Sequence, residues 1–497
     1  MSLLPHKCKC PFDHHEISNP NPPAQGSETY PDYHSFDTAV EPEKFELNAD
    51  NNYTIELFKK FLRIPSITGD CPTGQADKCT QFFSELCTRW GIESWTMEFT
   101  PKYPIFIAKI PGSDDSLPAV LLNSHYDVVP VVAKKWVYPP FDAVELDNGD
   151  IVARGAQDMK CVCIHHFVSV IQLLRKKAQE QGVETTLDDN ECENKKKIGQ
   201  MKLLKRTVYL AVMPDEELGG TKGMAEWVKA EVSDKERNLI AFRDMNIGFT
   251  LDEGLASTER NIIAFYGERS VWWLELRAVG PTGHASRFIE GTATEKIICS
   301  VNQLLSFRDD EYKRLHGLHP ELTQDIGCAH AKALQLGDVV TLNLTMLEAG
   351  VKAGDIYSYN VVPTDAKAGF DFRLPPDLDL VEFEKKLRAM LPDGVSINFV
   401  VKTEVNNPSP HTSEDKYWAA LMKGCEPHGI DIKATVFPSA VDGRYIRNLL
   451  NKPVVGFSPL FNQPMMLHDH DERLNKWIFI KGLFIMTDVL EELTKLD

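Results

Sequence analysis

Along this chain short apolar runs repeatedly end in polar groups that carry chemistry. Ala119 to Leu122 is apolar in the manner of a buried parallel strand and leads into Asn123-Ser124-His125-Tyr126-Asp127. Val208 to Met213 is nearly continuous in apolar character and stops at Pro214-Asp215-Glu216-Glu217-Leu218-Gly219-Gly220, and Ile247 to Leu251 stops at Asp252-Glu253-Gly254. A shorter run, Ile151 to Ala153, breaks at Gly155 and places Asp158 just before an apolar segment with Val162, Phe167, Val170, Ile171 and Leu174. Near the end, Val454 to Phe457 precedes a loop with Leu467-His468-Asp469-His470-Asp471-Glu472. Helical spacing lies between these runs: Ile55, Phe58 and Leu62; residues 77 to 90 around Phe82, Leu86 and Trp90; and a closing helix with Leu474, Ile478, Ile485 and Val489 on one side. Strands alternating with helices predict an α/β fold, a mixed sheet flanked by helices.

After about residue 263 the period changes. Val340, Leu342, Leu344 and Met346 alternate with Thr341, Asn343 and Thr345, as expected of a strand with one solvated or interface face. Helices are predicted near 292–315 and 380–390, among antiparallel strands near 271–279, 366–372 and 396–401. The expected solution is an inserted α+β domain with two helices on one face of the sheet. The chain therefore divides into an extension at 1–48, a first domain at 49–262 and 405–497, and an inserted domain at 263–404.

Composition narrows the function classes. With 497 residues two domains are the default, and 43% hydrophobic with 25% charged residues is ordinary for a globular protein. A net charge of −18 argues against nucleic-acid or anionic-membrane partners. Eleven cysteines without framework spacing, no secretory h-region at the start and no membrane-length apolar run lead to the expectation of a soluble, cytoplasmic protein. The extension contains Cys8-Lys9-Cys10 and His14-His15, read as a flexible tail for want of a second ligand cluster. The charge-dense stretch 175–206 is read as a solvated surface insertion, and His165 and His166 as core residues.

The strand-end polar groups are His125, Asp127, Asp158, Glu216, Glu217, Glu253 and His468. Acids at the carboxyl edge of several strands stand where open α/β sheets place their ligands. Imidazole with carboxylate and no clustered thiolate suits zinc, with cobalt and manganese as rivals. A pair of zinc ions needs one bridging carboxylate and further N/O ligands on each side. The count fits, with His125 and Glu253 on one ion, Glu217 and His468 on the other, and Asp158 between them. Asp127, two residues from His125 on an extended chain, is the candidate acceptor for the second ring N–H. Glu216, left without a metal, is the candidate general base. The competing structural reading of Asp158 is a helix N-cap.

Five segments in this order, Ser124-His125-Tyr126-Asp127-Val128-Val129-Pro130, Arg154 to Lys160, Pro214 to Gly220, Leu251 to Gly254 and His468 to Leu474, closely resemble the motifs of the aminoacylase/carboxypeptidase G family of zinc amidohydrolases. The resemblance spans about residue 50 to the C-terminus. It implies the same ligand set with two zinc ions per subunit, Glu216 as general base and Asp127 as orienter, and hydrolysis of N-acyl-L-amino acids. It also implies that 263–404 is a lid that dimerises. Pro281-Thr282-Gly283-His284-Ala285-Ser286-Arg287 looks like the lid motif whose His reaches the partner subunit's site and stabilises an oxyanion. Segments around Asn360, Arg373 and Arg444 are similar to those that hold the substrate carboxylate, for which Arg offers a bidentate fork; the competing reading of either Arg is a structural ion pair. Two departures touch the pocket: Tyr126 stands where the family usually has Thr, and Ser439-Ala440-Val441-Asp442 replaces a Gly-Thr-Asp segment. Three alternatives stay open: a dipeptidase or other amidohydrolase with the same site, a catalytically silent dimeric binding protein, and a structural metalloprotein.

Overall fold

The computed structural model describes residues 42–69, 74–187, 193–320 and 335–497. Its large sheet has eight strands in the order Glu93–Met97, Ile105–Ile110, Val208–Met213, Ala119–His125, Ile247–Asp252, Val454–Phe457, Asn261–Glu268 and Asp431–Phe437. Four neighbours in the middle, Val208–Met213 through Val454–Phe457, run parallel. The two strands before Val208–Met213 are antiparallel, and so is the pairing of Val454–Phe457 with Asn261–Glu268. Buried on both faces, the central strands read as unbroken apolar runs rather than as an alternation.

Helices cover both faces. One face packs Phe58 and Phe61 of helix Ala49–Leu62, Phe83 of helix Gln75–Trp90, Val170 and Leu174 of helix Lys160–Gln179, and Leu483 and Val489 of helix Lys476–Lys495 onto Val120, Leu122 and Leu210. The other face sets Trp227 of helix Met224–Lys229 and Ile446 of helix Gly443–Leu450 against Leu121, Ala211 and Ile247. His165 and His166 are buried in the first of these layers, as expected, and burial pushes their pKa values down to about 4 and about 3.

A second sheet has four antiparallel strands in the order Thr341–Ala349, Asp365–Leu374, Ser270–Val279, Val395–Lys402. The chain order is strand, helix Ala293–Leu318, two strands, helix Leu380–Ala389, strand. Ile297, Leu304, Phe383 and Leu387 from the two helices meet Trp272, Leu276, Phe370 and Phe372 in a separate core. Thr292 caps the long helix and shares a reciprocal capping box with Glu295.

Three expectations need correction. Strand Asn261–Glu268 pairs in parallel with Asp431–Phe437, so the chain leaves the large sheet at Arg269 and not at residue 262. The apolar run 262–266 could pass for the first strand of either domain; only its pairing settles the matter. The stretch 175–206 is not uniformly solvated: a helix spans Glu193–Gln200, Ile198 is buried, and the Lys195 ammonium lies over the Trp90 ring at 5.4 Å. Arg206 is wholly buried and donates to the carbonyls of Pro118 and Leu496 and to a main-chain oxygen of Asp497. Its long stem and five donors serve the interior, which a count of charges misses. Finally, the end of the 1–48 segment is docked: the Trp477 indole donates to the Phe45 carbonyl at 3.1 Å and Lys481 pairs with Glu43. Cys8-Lys9-Cys10 and His14-His15 lie outside the described residues.

Candidate metal centre

Parallel strands deliver their carboxyl ends to one edge, and here that edge gathers the acids. His125 ends its strand, Glu253 follows Asp252 at the end of the next, and Glu216 and Glu217 begin a short 3-10 turn after Met213. Asp158 and His468 come from loops. Their atoms form two triads of possible metal ligands, His125–Asp158–Glu253 and Asp158–Glu217–His468. In the first, His125 Nε2 lies 3.2 Å from Asp158 Oδ1 and 3.2 Å from Glu253 Oε2. In the second, His468 Nε2 lies 3.2 Å from Asp158 Oδ2 and 3.1 Å from Glu217 Oε2. Asp158 thus offers one oxygen to each triad. It does not cap the following helix, whose cap position is Met159, so the N-cap alternative falls. Glu216 belongs to neither triad; its Oε2 is 3.8 Å from His125 Nε2.

The other ring nitrogen of His125 donates to Asp127, and the nearer acceptor is the backbone carbonyl at 2.9 Å, with the carboxylate at 3.3 Å. The Asp127 carboxylate has further partners, the backbone N–H groups of Glu216 and Glu217 on its two oxygens, each at 3.2 Å. One side chain therefore faces the imidazole and pins the turn that presents both acids. Two glycines let the chain leave that turn. Gly220 has φ +59°, and a Cβ there would fall 1.8 Å from an oxygen of Asp442.

The electrostatics identify what the site suits. Burial acts against a charged His125, yet Glu253, Asp127 and Asp158 outweigh it and hold its pKa well above the ordinary value. Hydrogen bonds to Asp158 and Glu217 push His468 up to about 10. Asp158 is desolvated but is held well below the usual carboxylate range by its two histidines. Burial and the negative charge of Asp158 push Glu217 up to about 7, and burial with Glu253 raises Glu216 well above the usual range. Crowded buried carboxylates that resist ionisation call for a cation to offset them. Glu217 Oε1 is buried with no hydrogen-bond partner, an open lone pair in the second triad. Carboxylate and imidazole donors around a shared aspartate fit a pair of divalent metal ions.

The remaining candidates belong to neither triad. His284 is exposed, in a two-residue strand paired with Val361–Val362, and its Nδ1 is 2.8 Å from Ser286 Oγ. Asn360 is exposed beside it, and its carbonyl accepts from Ala285 N–H at 2.9 Å. The Arg373 guanidinium bonds both oxygens of Asp371, at 2.8 and 3.1 Å. Arg444 donates to the carbonyls of Val441 and Gly219, the latter two residues beyond Glu217. Tyr126 faces away from the pocket: its ring is in the core and its hydroxyl donates to the Pro104 carbonyl. That departure is absorbed by packing, because neighbours on a strand point to opposite sides. The Asp442 carboxylate is buried with neither oxygen hydrogen-bonded, and burial and Asp252 push its pKa well above the usual range.

Sequence reasoning passed over Lys160, Arg154, Gln157 and Glu472, all of which are buried at the site's base. The Lys160 ammonium donates to the Ile64 carbonyl at 2.5 Å, tying the end of helix Ala49–Leu62 to the loop bearing Asp158. Charged and amide residues that stand inside motifs without a chemical role were the available signal.

A family model described as peptidase family M20/M25/M40 matches residues 121–187 and 196–492. Aminoacylase-1 of Dictyostelium discoideum is 37% identical over 450 residues, 90% of this chain and 98% of its own length. Aminoacylase-1 of Mus musculus is 36% identical over 443 residues, 88% of this chain and 95% of its own. A crystal structure of a dinuclear metal-binding M20 peptidase from Bacillus subtilis aligns with a TM-score of 0.52 at 15% identity, covering 90% of this chain and 98% of that one, a likeness of fold.

Proposed function

The chain belongs to peptidase family M20/M25/M40, and from that premise we propose that it hydrolyses N-acyl-L-amino acids to a carboxylate and a free L-amino acid. The observation that carries the site is Asp158, with one oxygen 3.2 Å from each of two histidines that belong to different ligand triads. His125 and Glu253 would hold one zinc ion, Glu217 and His468 the other, and Asp158 both. When bound, the pair supplies Lewis-acid polarisation of the acyl carbonyl and acidifies water to a pKa of about 7. Asp127 keeps the His125 ring oriented. Glu216, adjacent to a ligand but outside both triads, takes a proton from the attacking water. As water oxygen bonds to the acyl carbon and the C–N bond breaks, Glu216 returns that proton to the leaving nitrogen.

His284, exposed on the inserted lid, donates to the oxyanion in the partner subunit's site, which makes the working unit a homodimer. Arg373, Arg444 and Asn360 bind the substrate carboxylate, with Arg373 exchanging Asp371 for it. Residues 49–268 and 405–497 form the catalytic domain, and 269–404 the lid. The described cysteines are free, in keeping with a cytoplasmic protein, and no described helix is long and apolar enough to cross a membrane.

The test compares amino-acid release by zinc-loaded protein from N-acetyl-L-methionine and from an unblocked dipeptide. Preference for the acetylated substrate is expected. Preference for the dipeptide would move the chain to dipeptidase chemistry with the same residues, and silence on both with zinc bound would sink the enzymatic reading.

A further inference from the structure

The two ligand triads differ in how they are anchored. His125 ends a buried strand of the large sheet and Glu253 directly follows another, so sheet hydrogen bonds set their positions. Asp158 and His468 sit in loops separated by some three hundred residues of chain, and the His468 side chain is 53% exposed. Its backbone has φ +63°, a left-handed conformation that a residue with a Cβ adopts only when its surroundings impose it.

What joins these loops is a carboxylate that touches no metal-ligating atom. Glu472 is wholly buried. Its Oε1 accepts from the backbone N–H of Gln157 at 2.6 Å and of Asp158 at 3.1 Å. Its Oε2 accepts from Gly155 N–H at 3.0 Å and from Arg154 Nη1 at 2.7 Å. The loop leading to Asp158 is thus wrapped around one side chain that sits four residues past His468. Arg154 closes the circuit, since its Nη2 donates to the His468 carbonyl at 3.1 Å. Gln157 adds a second stitch, giving its amide N–H groups to the carbonyls of Pro464 and Arg473 and accepting from Met466 N–H. Four donors saturate two carboxylate oxygens, and a glutamine would present only one acceptor to them. A buried network of this kind fixes geometry when complete and loses it when one member goes.

We infer that Glu472, acting with Arg154, is a positioning residue that sets Asp158 against His468 and so governs retention of the ion held by Asp158, Glu217 and His468. The inference rests on the reading of the two triads as a pair of metal sites. The ion between His125 and Glu253 keeps two strand-anchored ligands and depends on Glu472 much less.

Zinc titration of the metal-free full chain by calorimetry, for wild type, Glu472→Gln and Arg154→Lys, tests it. Circular dichroism and thermal melts of the metal-free forms report on folding. Wild type takes up two ions. In Glu472→Gln the affinity for the second ion falls about 10- to 100-fold, the range typical of groups that orient metal ligands, while the first ion binds nearly as before. Excess zinc restores turnover of this variant, which a disordered site would not allow. Arg154→Lys keeps a positive charge beside Glu472 but loses the fork to the His468 carbonyl, and it weakens the same ion. Folded variants that bind both ions with wild-type affinity overturn the inference. If Glu472→Gln does not fold, Arg154→Lys decides: weakening of the second ion supports the inference, and wild-type affinity overturns it. If wild-type protein itself fails to take up two ions, the paired-site reading has failed, and this inference with it.

Discussion

The carboxyl edge of the large sheet and the two-stranded tip formed by residues 283–284 and 361–362 are opposites in construction. At the edge His125, Asp127, Asp158 and Glu253 are buried, each in contact with another member of the site, and both triads of possible metal ligands are assembled within one chain. At the tip His284 and Asn360 are exposed, with Ser286 and the Ala285 N–H as their partners, and among the described residues no hydrogen bond or ion pair joins them to the triads. Buried charges must be set against one another where the chain folds, because desolvation is costly. An exposed histidine carries no such demand, so it can wait for a surface that arrives later. The candidate ligand set is therefore readable from one chain, whereas the oxyanion role proposed for His284 would need a site that comes from outside its own surroundings.

The largest effect that would sharpen this contrast is expected at the edge. Glu216→Gln should lower turnover of N-acetyl-L-methionine by about 10³-fold, within the range of general-base removal, with two metal ions retained by mass spectrometry. Loss of an ion alongside activity would make Glu216 a ligand. Next comes His284→Ala, which should cost about 10²-fold in turnover and leave metal content untouched. Mixed with Glu216→Gln protein and allowed to exchange subunits, it should recover activity at roughly a quarter of all sites, since half the random dimers are mixed and each has one intact site. Absence of recovery with exchange confirmed would break the cross-subunit half of the comparison.

A smaller, thermodynamic effect follows from the crowded carboxylates. Zinc at about a hundred times its dissociation constant should raise the melting temperature of the metal-free protein by roughly 5 °C, because ligand binding adds to the stability of the folded form. An unchanged melt would mean that the acids are not waiting for a cation. The smallest effect is remote from both regions. Glu491 meets Lys176, Lys177 and Lys495 at 2.5, 3.1 and 3.2 Å. Burial opposes its ionisation, but the three ammonium groups prevail and pull its carboxyl down to about 2. A folded-state pKa below the ordinary value of about 4.3 stabilises fully above that value, and the contribution fades as pH falls towards 2. Glu491→Gln should therefore lower the melting temperature by roughly 1–2 °C at pH 7, with the difference from wild type closing in acid.

Most of the architecture was legible because burial on two faces writes itself as apolar runs and burial on one face as alternation. Strands Ala119–His125, Val208–Met213 and Ile247–Asp252 lie where the runs predict, and the inserted four-stranded sheet emerges where the period changes. Asn261–Glu268 was harder, because a strand of apolar residues does not say which sheet will hydrogen-bond it. Arg206 and Lys195 were misjudged for a related reason: charge density describes composition, whereas burial depends on which carbonyls and rings come within reach.

For the site, the sequence by itself determined the chemistry available. It set imidazole and carboxylate groups at strand ends, an acid pair after Met213 and no clustered thiolate, which together specify a hard or borderline cation and a base. Only the tertiary structure decided the arrangement: that Asp158 faces two histidines rather than capping its helix, that Asp127 also secures the acidic turn, that Tyr126 belongs to the core, and that Glu472 binds together loops distant in sequence. The physical reason is that a ligand type is a property of one residue. A bridging distance, a saturated carboxylate or a buried partner is a relation between residues that only folding brings within about 3 Å of each other.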